Sequence, residues 1–114
     1  MADQFFMSVS TVAGCAVVAL SGESDANTVE FVQEVLAAQV EGVSRVVVDL
    51  SGLEFMDSAG MRALLQAHRT LQERGGAMAL ACPGRVVARV LQLTCVDQQI
   101  PVYSSMHEAV AAAP

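Results

Sequence analysis

Hydrophobic and polar positions change period several times along the chain, and each change marks an element. From Phe5 to Val12 they alternate, with Phe5, Met7 and Val9 on one face and Ser8 and Ser10 on the other. Ala13-Gly14 separates this run from a second apolar one, Cys15 to Leu20, and the pair predicts a hairpin. Ser21-Gly22-Glu23-Ser24-Asp25 breaks the pattern. Beyond it Val29, Val32, Leu36 and Val40 recur at helical spacing, and Asn27-Thr28-Val29-Glu30 has the spacing of a capping box, so a first helix is expected to begin near residue 27 and to stop at Gly42.

Val46 to Leu50 is a short apolar, β-branched run of the kind found in a buried strand. Met61, Leu64, Leu65, His68 and Leu71 then repeat at helical spacing. They predict a helix over Ser58 to Arg74 with Arg62, Gln66, Arg69 and Glu73 on its exposed face and Gly75-Gly76 as a left-handed stop. Ala77 to Cys82 reads as a strand closed by Pro83-Gly84, and Val86, Val87, Val90, Leu91 and Thr94 as the apolar set of another helix. Pro101-Val102-Tyr103 is a short strand placed at an edge by its proline, and Met106 to Ala112 a small helix capped by Ser104 or Ser105. Two strands followed by alternating helix and strand require crossover connections. The expected fold is α/β: a single domain over residues 1–114, with a mixed, mostly parallel sheet of four to five strands packed with four or so helices.

Composition narrows what such a domain can do. A chain of 114 residues can bury one core without disulfides or metal. No apolar run is long enough to span a bilayer, and Met1-Ala2-Asp3-Gln4 lacks the basic region of a signal peptide, so a cytoplasmic protein with no membrane association is expected. Six Lys plus Arg, all of them arginine, against twelve acidic residues give a net charge of -6, which opposes nucleic acid as a partner. Cys15, Cys82 and Cys95 are widely spaced within apolar segments. They read as small core residues and not as a metal site or a disulfide framework.

Candidate chemistry gathers where strand period gives way to helix period, at Asp57-Ser58-Ala59-Gly60. A serine at the first turn of a helix, just past the carboxyl end of a central strand, lies where open α/β folds place their ligands and partners. Unpaired N–H groups and the helix dipole favour an anion there by ~0.3 to 1 kcal/mol, so a phosphate on Ser58 is tolerated locally. Gly60 gives up about 1 kcal/mol of helix propensity relative to alanine, which suggests a bare backbone kept for a close-approaching partner or a kinase active site. On these residues alone the simpler alternative stays open: Asp57 or Ser58 is an N-cap and nothing more. His68 invites comparison with a base or a pH sensor. It follows Ser58 by ten positions on the same helix, a rise of about 15 Å, and reads as a packing residue. Without a Gly-x-Ser-x-Gly elbow, and with only His68 and His107 as bases, a serine enzyme is not expected.

The series Val48-Asp49-Leu50-Ser51-Gly52-Leu53, then Phe55-Met56-Asp57-Ser58-Ala59-Gly60-Met61, resembles the signature of the STAS family, specifically its anti-anti-sigma factors, or anti-sigma factor antagonists. Weaker likenesses run through Arg74-Gly75-Gly76, Pro83, Val90-Leu91, Leu93-Thr94, Asp97 and Pro101-Val102-Tyr103. The resemblance implies a partner-switching module of bacterial transcription regulation and no enzymatic activity. Its unphosphorylated form would bind an anti-sigma factor that is itself a serine kinase, releasing the sigma factor. Phosphorylation of Ser58 would switch that binding off, and a serine phosphatase would reset it. The resemblance also makes Asp57, Ser58, Ala59, Gly60 and Met61 partner-binding. It adds Asp25, since the family's Gly-x-x-Asp turn, here Gly22-Glu23-Ser24-Asp25, lies beside the phosphorylation site; a plain turn aspartate is the open alternative. No cofactor is implied, because ATP and Mg2+ would come with the kinase. Two residues depart from the family pattern: Ser24, where an apolar residue is usual, and Cys95, where glycine often follows the threonine. The alternative function is a STAS scaffold or signalling subunit of a stress-sensing complex that does not act directly on a sigma factor.

Overall fold

The computed structural model describes residues 5–25, 28–42 and 44–112. Met1 to Gln4, Asn27 of the expected capping box and the side chain of Val40 lie outside the described residues. In chain order the elements are β1 (Phe6–Val12), β2 (Cys15–Ser24), α1 (Val29–Gly42), β3 (Arg45–Met56), α2 (Ser58–Glu73), β4 (Ala77–Ala81), α3 (Arg85–Leu93), a 3-10 turn (Val96–Gln98), β5 (Val102–Tyr103) and α4 (Met106–Ala112). The five strands lie side by side in chain order, with β1 antiparallel to β2 and every later neighbour parallel. This is the mixed, mostly parallel sheet expected from the alternation of periods.

The main core forms where Val18, Leu20, Val48 and Leu50 of the central strands meet Leu36 of α1, Leu64 and Leu71 of α2 and Leu91 of α3. A smaller cluster on the other face joins Cys15, Val17, Val47, Ala79 and Ala81 to Ala109 of α4. Three helices therefore cover one face and one short helix covers part of the other.

Both central strands run further than their apolar runs indicate. β2 continues past Leu20 to Ser24, and β3 past Leu50 to Met56. On the helix-bearing face the buried positions of β3 are 46, 48, 50, then 53 and 56, so the spacing lengthens from two to three. Register shifts between Ala19 and Ser21 and between Gly22 and Glu23 absorb the extra residues, leaving Ser51-Gly52 and Glu54-Phe55 as solvent-facing pairs. These are β-bulges, which bend a strand and re-aim the residues beyond the bend.

Other corrections are local. β1 is an edge strand: Phe5 and Met7 pack on the core, but Val9, expected beside them, is 46% exposed. Phe5 meets Phe31 of α1 edge to face, with ring centroids 6.5 Å apart. Thr28 precedes the first residue of α1, and its carbonyl accepts the N–H of Val32 at 3.1 Å. α2 ends as expected, with Arg74 at its C-cap and Gly75 left-handed, and Arg62, Gln66, Arg69 and Glu73 are all exposed. On α3 Val87 and Leu91 are buried, whereas Val86 is 57% exposed and does not join the core. Of the three cysteines only Cys15 is buried; Cys82 is half-buried and Cys95 exposed, so the expectation of three core residues holds for one. Cys95 has φ +61, a left-handed conformation in which glycine is the easier residue. At α4 the Ser105 hydroxyl accepts the Glu108 N–H at 3.1 Å, and the Ser104 hydroxyl donates to the Glu108 carboxylate at 3.0 Å.

Candidate functional site

Asp57 is extended between β3 and α2, and its N–H, its carbonyl and one oxygen of its carboxylate are all engaged. Its Oδ1 accepts the Gly60 N–H at 3.1 Å, its carbonyl accepts the Met61 N–H at 3.1 Å, and its own N–H donates to the Ser24 carbonyl at 3.1 Å. Asp57 is thus the N-cap of α2, and Ser58 is the first helical residue. Of the two capping residues that the sequence offers, capping falls to the aspartate, and the exposed Ser58 hydroxyl is not consumed by it.

The bond from Asp57 to Ser24 also brings the Gly22–Asp25 turn to the site. Ser24 is fully buried and lies beside Met56 in the parallel register, while the next residue, Asp25, is exposed. Thr28 shapes the turn. Its hydroxyl accepts the Asp25 N–H at 2.9 Å and lies 3.0 Å from the Asp25 carbonyl and 3.5 Å from the Ser24 hydroxyl.

The residues singled out by the motif divide by exposure. Asp25 and Ser58 are exposed, Asp57 and Ala59 half-buried, and Gly60 and Met61 buried. Gly60 needs correction. A Cβ there would fall 2.5 Å from the Met56 Cγ and 3.1 Å from both the Met56 Sδ and the Ser24 Oγ. The bare backbone therefore serves close packing within this chain, of α2 against the ends of β2 and β3, and it offers no open patch to a partner. Met61 likewise belongs to the core cluster. Reasoning from the sequence also passed over Phe55 and Glu23, both exposed and paired in register three and two residues before Ser58 and Asp25. The signal was available: Glu54-Phe55 follows Leu53 and precedes Met56, so two consecutive residues fall outside the buried set.

His68 is a packing residue, as expected. It is 7% exposed, burial lowers its pKa from the ordinary 6.5, and a hydrogen bond to the Gln99 backbone acts in the opposite direction. Its Nδ1 is buried without a hydrogen-bond partner among the described residues. The other histidine, His107, lies on α4, across the sheet from α2. The arrangement offers an accessible hydroxyl, beside a carboxylate already committed to a cap. No helix among the described residues is long and apolar enough to cross a membrane.

Comparison with known proteins matches residues 7–109 to the STAS domain. An anti-sigma F factor antagonist of Paenibacillus polymyxa is 31% identical over 94 residues, which cover 81% of this chain and 80% of that protein. The crystal structure of an anti-sigma factor antagonist from Mycobacterium paratuberculosis superposes with a TM-score of 0.89 at 28% identity, covering 96% of this chain and 94% of that one. The phosphorylated form of the Bacillus cell fate determinant SpoIIAA shares the fold, with a TM-score of 0.73 at 23% identity over 94% of this chain and 98% of that one.

Proposed function

The chain belongs to the STAS domain family, and on that premise we propose that it is an anti-sigma factor antagonist switched by phosphorylation of Ser58. Unphosphorylated, it binds an anti-sigma factor that is also a serine kinase and so releases the sigma factor; phosphorylated, it does not bind. The observation that carries the switch is the division of labour at the turn, where Asp57 caps α2 and leaves the Ser58 hydroxyl exposed. The names of the Paenibacillus and Mycobacterium relatives support the antagonist reading.

In the transfer, the Ser58 Oγ forms a bond to the γ-phosphorus of ATP, the bond from that phosphorus to the bridging oxygen breaks, and ADP leaves. The hydroxyl proton passes to a base of the kinase, which also supplies ATP and Mg2+. The phosphate brings roughly -1.5 to -2 charges next to the Asp57 carboxylate, at a helix start whose N–H groups tolerate an anion. Inhibition then arises at the interface, since desolvating an unpaired anion there costs several kcal/mol. A serine phosphatase restores the hydroxyl, and the cycle runs in the cytoplasm.

Incubation with the cognate anti-sigma kinase and Mg-ATP, followed by intact mass and peptide mapping, tests this reading. One phosphate on Ser58 is expected. Stoichiometric phosphate elsewhere, or on a Ser58→Ala protein, would refute it.

A further inference from the structure

α4 covers only part of its face of the sheet. Val17, Val47 and Ala79 lie beneath it. Towards the carboxyl ends of β2 and β3 the same face carries Ala19, Asp49, Glu23 and Phe55, and Phe6 joins it from β1. Its side of the sheet follows from register: Met7, Leu20, Leu50, Leu53 and Met56 point into the helix-covered core, and the residues paired between them point away. Phe6 is 59% exposed and Phe55 42% exposed. Two such rings on a half-face that no other element among the described residues covers are costly to leave in water, at about 25 cal/mol per Å² of apolar surface. They are the residue type that anchors protein interfaces.

The charge around them is of one sign. Glu23, Asp49 and Glu54 lie on or beside this half-face. The arginines do not: Arg62, Arg69 and Arg74 belong to or cap α2, Arg85 and Arg89 lie on α3, and Arg45, at the far end of β3, is bonded to the Val110 carbonyl of α4. Phe55 is three residues from Ser58, and β1 lies two strand spacings, roughly 10 Å, from β3. A single protein contact of ~800 Å² per partner spans both.

We infer that the anti-sigma factor docks across this half-face as well as on Ser58. It seats apolar side chains on Phe55 and Phe6 and brings Arg or Lys over Glu23 and Asp49. The inference rests on the function proposed above, and it assigns to residues outside the Asp-Ser-Ala-Gly turn most of the affinity for the unphosphorylated form.

The test uses the full-length serine-kinase anti-sigma factor that phosphorylates Ser58 in the presence of Mg-ATP. Phe55→Ala should raise Kd about tenfold or more and Phe6→Ala about threefold or more. Glu23→Lys should slow association and flatten its dependence on salt. In phosphorylation assays these variants should raise KM and leave kcat unchanged, because none of them touches the reacting hydroxyl. All three positions are exposed, and thermal unfolding of each variant confirms the fold. Should Phe55→Ala lose its fold, the other two carry the result. Unchanged Kd and KM in the folded variants, with Ser58 still phosphorylated, would overturn this inference and leave the switch standing. The same holds if Phe6→Ala instead abolishes a homodimer without altering partner affinity. If no such kinase phosphorylates or binds the wild-type protein, the proposed function fails, and this inference with it.

Discussion

The backbone N–H of Asp57 donates to the carbonyl of Ser24 at 3.1 Å, joining the turn that carries Asp25 to the cap of the helix that carries Ser58. The same serine lies, through its hydroxyl, 3.1 Å from where a Cβ on Gly60 would fall. The buried Ser24 therefore sits under both stretches and joins them.

Gly60→Ala should destabilise the protein by about 1 to 3 kcal/mol, the range for overpacking a filled site, even though alanine is the better helix former. Urea unfolding measures this. Affinity for the partner per folded molecule should not change; a stable variant that binds poorly would restore Gly60 to the interface.

Asp57→Ala should cost about 1 kcal/mol through loss of the N-cap, whereas Asp57→Asn, which keeps an acceptor oxygen, should cost less. Comparing partner affinity of the two variants separates cap from charge. If both bind equally well, the carboxylate contributes to α2 and not to recognition.

Ser58→Ala should unfold at nearly the wild-type temperature, bind the partner and resist the kinase. Ser58→Asp should lower affinity in the direction of the phosphate, by a smaller factor because it adds less charge and fewer acceptor oxygens. Backbone amide shifts on phosphorylation should stay near residues 57 to 62, and widespread changes would replace this local mechanism with a conformational one.

His68 gives a stability that depends on pH. In the unfolded chain its imidazole takes up a proton near the ordinary 6.5, while in the fold burial lowers that value. Just below pH 6.5 the unfolded state therefore binds more protons than the native state, and stability falls as the pH falls through this window, by at most ~1.4 kcal/mol per unit. Above it the contribution is fully present. Unfolding free energies at pH 7.5 and 5.5 should differ more for the wild type than for His68→Gln.

The order of elements, the parallel sheet and the exposed stripe of α2 were legible in the sequence because each rests on one unbroken period. So was the start of α2 at Ser58, where strand period gives way to helix period. The ends of β2 and β3 were not, because two bulges turn the period of two into three just where turn-like residues such as Ser51-Gly52 suggest a stop. Gly60 misled for a related reason: a glycine at a helix start looks the same whether its neighbour is a partner or, as here, Met56. Cys95 looked like a core residue from its apolar surroundings, and only the left-handed turn after α3 shows why it faces solvent.

Because the Asp57 side chain ties down the start of α2, the fold holds no stake in the hydroxyl next to it. A side chain without a structural duty can be modified and restored many times over without loosening the chain at each turn. In the proposed switch, the working lifetime of the signal is then set by the enzymes that write and erase it, not by wear on the protein that carries it.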